Sequence, residues 1–183
     1  MRTMVRRGVA AGVVLGLLAA GTAEAQQTYP PDTKLLANVE GAAKPYAGRG
    51  LVSVSTLEGA FTTVRVSPKA GTRIVVPRRV WGRTVGRISA GSVRAAALRL
   101  PKRPRGTIVL RARAPRVELV PASRSFDLRI SRFTSPVGEI DVALELPGGG
   151  SLLRSTCPGT PSWSVAVTRT VLAPATVDSG GPC

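Results

Sequence analysis

Strict alternation of apolar and polar side chains, repeated along the second half of the chain, narrows the folds open to it more than any other feature. Ile108, Leu110 and Ala112 alternate with Val109, Arg111 and Arg113, and Val117 and Leu119 with Arg116 and Glu118. Phe126, Leu128 and Ile130 alternate with Asp127, Arg129 and Ser131. Ile140, Val142, Leu144 and Leu146 then alternate with Glu139, Asp141, Ala143 and Glu145. A period of two means strands with one buried face and one wet face. Each run is bounded by Pro or Gly, and the spacing between runs suits a sandwich or barrel, not a parallel α/β sheet.

The first half carries the same signal less cleanly. A strand is predicted at residues 51–55, turned back by Glu58-Gly59 onto a second at 61–66. Ser67-Pro-Lys-Ala-Gly71 is a turn, so residues 72–76 are expected to return against 61–66 as a hairpin. Residues 77–91 read as an irregular basic segment. Trp81, Val85 and Ile88 have helical spacing, but Gly82, Gly86 and Gly91 argue against a helix. Residues 92–100 are predicted as a strand ending at Pro101, and residues 163–172 as a final long strand. Trp163 lies six residues after Cys157, and a tryptophan beside a cysteine within short antiparallel strands resembles immunoglobulin-like domains. That resemblance implies architecture alone, because the tryptophan of those domains sits well inside the interval between its two cysteines. The fold class expected is all-β, an antiparallel β-sandwich of immunoglobulin-like architecture over residues 51–183.

The N-terminus predicts export. Arg2, Arg6 and Arg7 precede an apolar run at residues 9–20, and Ala23-Glu24-Ala25 offers small residues at the two positions a signal peptidase reads. Residues 1–25 are therefore expected to be a signal peptide cut between Ala25 and Gln26. The twelve-residue apolar run falls short of the roughly 20 a spanning helix needs, so no stable membrane insertion is expected. Residues 26–50 are polar and rich in Pro and Gly, and read as a flexible arm with one short strand at 35–39. The product is expected to be secreted or held in the cell envelope. In that oxidising setting Cys157 and Cys183 should form a disulfide, closing a 27-residue loop worth about 3–4 kcal/mol by chain entropy.

Several mechanisms lack their residues. The chain contains no His, which removes the commonest catalytic base and transition-metal ligand. Asp178-Ser179-Gly180-Gly181-Pro182 resembles the nucleophile motif of trypsin-like serine proteases, and that resemblance would make Ser179 the nucleophile. Without imidazole no base takes its proton, and Ser179 is expected to be inert. Pro147-Gly-Gly-Gly-Ser151 lacks the Lys and following helix of a phosphate loop. Glu139 and Asp141, two apart on one strand face, stand at a separation that suits a small carbohydrate-active enzyme, but few aromatics remain to hold a sugar. Their expected role is pairing with Arg111, Arg113, Arg129 or Arg132 across strands. No enzyme activity, cofactor or metal is expected.

Charge carries the functional signal. The chain holds 26 basic and 10 acidic residues, a net of +16. Twelve of the basic residues and no acid fall within residues 65–105, whereas residues 106–145 balance six against five. The first block cannot neutralise itself, so its field should reach about a Debye length, roughly 8 Å at physiological salt. Within it, Arg78, Arg79 and Arg83 surround Trp81, and Lys102, Arg103 and Arg105 sit on a proline-framed loop. These six are the candidate anion-binding residues, because guanidinium forks take phosphate, sulfate and carboxylate bidentately. The partner expected is an anionic cell-surface polymer or an acidic protein. Nucleic acid is not expected, since a secreted chain seldom meets it and stacking aromatics are scarce. The competing expectation is a structural extracellular domain whose charge serves solubility.

Overall fold

The computed structural model describes residues 35–40, 50–56, 60–69, 71–91, 93–135, 137–146, 151–156 and 162–179. Among these residues thirteen strands follow in order: β1 (Leu35–Glu40), β2 (Gly50–Thr56), β3 (Phe61–Pro68), β4 (Thr72–Ile74), β5 (Thr84–Ala90), β6 (Val93–Arg99) and β7 (Ile108–Arg111). They continue as β8 (Arg116–Ala122), β9 (Ser125–Ser131), β10 (Glu139–Leu144), β11 (Leu153–Ser155), β12 (Trp163–Arg169) and β13 (Ala175–Ser179). A 3-10 turn, Arg78–Val80, precedes β5. All pairings are antiparallel, and the sheets do not close into a barrel.

One sheet has the order β1-β2-β10-β5-β6 and the other β13-β12-β3-β9-β8-β7, with β4 and β11 as a separate pair. The alternation predicted for the second half is what buries the core. Val52, Val54, Ile88, Ile140, Val142 and Leu144 from the first sheet join Val64, Val66, Val117, Leu119, Leu128, Ile130 and Val165 from the second in one buried cluster. Trp163 and Phe61 are its largest fully buried side chains.

Two predicted hairpins do not form. Residues 51–55 and 61–66 lie in different sheets, because β2 pairs with β1 and β10. β3 has both edges taken by β12 and β9, so β4 turns away at Gly71 and pairs with β11 instead. Period two assigns a strand its faces and leaves its neighbours open. The segment read as irregular is half strand. β5 runs through Gly86, where an added Cβ would lie 2.0 Å from the Ala143 carbonyl oxygen of β10. That glycine admits a close approach of two backbones, with a register shift beside it. The strand predicted at 92–100 is present as β6, and that at 35–39 as β1, paired with β2. The predicted last strand stops at Arg169, whose guanidinium donates to the Ala173 carbonyl (2.8 Å) across a tight loop. The chain then returns as β13, which pairs with β12.

The expected signal peptide and cleavage point, most of the expected arm, Pro147-Gly-Gly-Gly150 and both cysteines lie outside the described residues.

Candidate functional site: a cationic end of the sheets

The two basic loops meet. β5 and β6 form a hairpin in which Thr84 faces Arg99, so the residues just before β5 lie beside those just after β6. Backbone bonds extend that ladder into the loops. Leu100 N–H donates to Arg83 O (2.9 Å) and Gly82 N–H to Pro101 O (3.1 Å). Gly82 adopts φ +72°, and a Cβ there would come 3.3 Å from the Lys102 Cγ. Arg83, through the 3-10 turn that carries Arg78 and Arg79, is thereby set against Lys102, with Arg103 and Arg105 following. Arg78, Arg79, Arg83, Lys102, Arg103 and Arg105 are all exposed, and none forms an ion pair with a described carboxylate.

Arg99 belongs with them and was not singled out from the sequence. Its Nε donates to the Gly82 carbonyl (3.0 Å), which ties it to the turn between the clusters. The signal was present in the alternation of exposed Ala97 and Arg99 with buried Leu98 and Leu100. Trp81 is half-buried beside them. The Arg78 guanidinium lies 5.8 Å from its ring centroid, and its buried Nε1 has no acceptor among the described residues. The chemistry on offer is therefore electrostatic, from several guanidinium forks and an ammonium group.

The block at residues 65–105 does not act as one face, and two of its members are neutralised. Arg65 pairs with Asp127, its Nε 2.8 Å from Oδ2, across a β3–β9 diagonal. Asp127 is 3% exposed, so the pair matters more than a surface bridge would. Lys69 Nζ lies 2.5 Å from Asp178 Oδ2. The carboxylates expected to face Arg111, Arg113, Arg129 or Arg132 do otherwise. Asp141 accepts from the Ser53 hydroxyl (2.6 Å), and Glu139 is exposed with no ion pair among the described residues. Arg111 instead donates to the Ala114 carbonyl (3.2 Å).

Among the described residues, surface cavities include three that bear on the candidate residues. One of about 330 Å³ lies where Phe61 and Phe133 meet Thr170, and one of about 410 Å³ lies over Arg65 and Arg129 on the six-stranded sheet. A third, of about 460 Å³, holds Arg73 and Arg124. None is lined by Glu139 or Asp141.

The Asp178-Ser179 string lies in β13, where Ser179 faces Trp163 in the ladder and Asp178 faces Ser164. The Lys69 ammonium, and after it the Ser164 hydroxyl, hold the Asp178 carboxyl below the usual carboxylate range. A depressed carboxyl stabilises the fold above its unfolded pKa, and that contribution fades as pH falls through the folded value. In a carboxyl-detected NMR titration Asp178 should titrate below an ordinary aspartate, and Lys69→Ala should return it upward. An unchanged midpoint in the variant would remove Lys69 as the cause.

No protein-family model matches the chain, and neither a curated protein nor a solved structure matches it at a significant level.

Proposed function

We propose that this chain is a secreted, non-enzymatic β-sandwich module of the cell envelope or extracellular space that holds anionic surface polymers at its cationic end. The observation that carries the reading is the joining of two basic loops by the Gly82–Pro101 and Leu100–Arg83 backbone bonds, with no described acid paired to them. Seven cations, counting Arg99 at the end of β6, then stand on or beside two adjoining loops, where a linear polyanion can meet several at once and release its counterions. Two larger sheets feeding one buried cluster support a sandwich of immunoglobulin-like architecture, which leaves loops at its ends free for binding. The exported protein should be retained on an anionic-polysaccharide column and elute with rising salt. Passage without retention at low salt would remove the reading.

Export and the disulfide belong to the same proposal. β12 and β13 pair with Trp163 opposite Ser179, so Cys157 precedes and Cys183 follows the same end of that ladder by six and four residues. Intact-mass measurement of secreted protein should give a chain beginning at Gln26. Non-reducing peptide mapping should recover Cys157 linked to Cys183. A mass that includes Met1, or free thiols in the folded product, would contradict these two points separately.

The second reading, a small carbohydrate-active enzyme using Glu139 and Asp141, stays a proposal with its own test: turnover of a polysaccharide that is lost in Glu139→Gln would favour it.

A further inference from the structure

Ile108, the first residue of β7, faces Leu119 of β8, so the basic loop before β7 enters beside the half of β8 that runs on to the 460 Å³ cavity. β8 and β9 are joined by a two-residue turn, Ser123-Arg124, with Ala122 facing Ser125. The Ser125 hydroxyl accepts the Ile74 N–H (2.9 Å), which fastens β4 to the start of β9. Arg73 from β4 and Arg124 from the turn consequently line one cavity, and Arg78 follows Ile74 by only four residues. Both arginines are exposed and have no ion-pair or hydrogen-bond partner among the described residues.

The hydroxyls around them divide by what their protons already do. Thr156 donates to Gly71 O (3.1 Å) and Ser125 to Phe126 O (3.3 Å), so both are committed. Thr72 uses its oxygen as the acceptor for Ser162 N–H (3.1 Å) and keeps its proton, and Ser123 has no partner. Asp127, the acid of the wall, is neutralised by Arg65. What remains beside this paired carboxylate is a set of two guanidinium forks and two hydroxyls free to donate.

We infer that this cavity, lined by Arg73, Arg124, Thr72 and Ser123, is a subsite for a tetrahedral oxoanion, a sulfate or phosphate ester carried on the polymer. A carboxylate has two oxygens, which one fork satisfies, whereas an esterified oxoanion presents three oxygens to two forks from different walls. The volume falls within the range of small-molecule sites, so it takes the ester together with part of the unit that bears it. The inference rests on the polymer reading for its biological ligand, but it stands on its own pocket chemistry.

The test is an NMR titration of the ¹⁵N-labelled exported chain with sodium sulfate, sodium phosphate and sodium acetate at constant ionic strength. The amides of Thr72, Ser123 and Arg124 should shift saturably with sulfate and phosphate. The Arg73→Gln/Arg124→Gln variant should raise the apparent Kd at least tenfold without lowering Tm. Non-saturating shifts, saturation as tight with acetate, or an unchanged Kd in the variant would overturn the subsite. The parent chain run on the anionic-polysaccharide column separates the two claims. Saturable sulfate binding in a chain that the column does not retain leaves the subsite and removes the polymer reading. Retention without saturable oxoanion binding does the reverse.

Discussion

Reversing Arg103 and Arg105 to glutamate should move elution from an anionic-polysaccharide column to much lower salt, whereas reversing Arg111 and Arg113 should move it little. The two pairs carry equal charge in the sequence and differ in where the fold puts them. Arg103 and Arg105 follow Lys102, which the Gly82–Pro101 bond holds against the other basic loop. β7 starts just beyond that loop, so Arg111 and Arg113 lie at its other end, and Arg111 is engaged by the Ala114 carbonyl. Basic side chains near an anionic surface contribute about 1 kcal/mol each, so losing two costs roughly 30-fold in affinity and reversal costs more. Neither pair lies in the buried cluster, and Tm should be unchanged within about 2 °C. Equal elution of both variants and the parent chain would reduce the basic loops to a solubility feature.

Gly86→Ala should be the most damaging single methyl addition considered for this fold. The new Cβ would sit 2.0 Å from the Ala143 carbonyl oxygen and 3.1 Å from Leu144 Cα, both backbone atoms of β10. A side chain can rotate away from such a clash, but β10 cannot, because β2 and β5 hold its two edges. Overpacking against a fixed backbone costs about 3 kcal/mol or more. For a domain of this size that lowers Tm by roughly 6–12 °C. Thr84→Ala, exposed on the same strand, should stay within about 0.5 kcal/mol. Calorimetric melting of the two variants checks the pair, and a melting point for Gly86→Ala like that of Thr84→Ala would refute the close approach of β5 and β10.

The strands of the second half were legible because one face of each meets water, and alternation records that directly. Their partners were not, since nothing local tells β3 that β12, about a hundred residues away, will take one of its edges. β5 was hidden by a different cause. Gly86 is there for backbone approach and Gly82 for a positive φ, yet in a sequence both read as strand breakers. The candidate site was legible as two basic loops but not as one end. Their meeting depends on the β5–β6 register, which sets Thr84 opposite Arg99 and closes the loops together. The neutralisation of Arg65 by Asp127 was out of reach for the same reason, being a diagonal contact between strands 62 residues apart.

Affinity for a linear anionic polysaccharide, measured across a range of salt concentrations, tests the cationic end most directly. Several cations releasing counterions together require log K to fall linearly with log salt, with a slope on the order of −3 or steeper. Arg103→Gln/Arg105→Gln should flatten that slope by roughly one to two. A flat dependence in the parent chain, or one slope shared by parent and variant, would contradict binding at this end of the molecule.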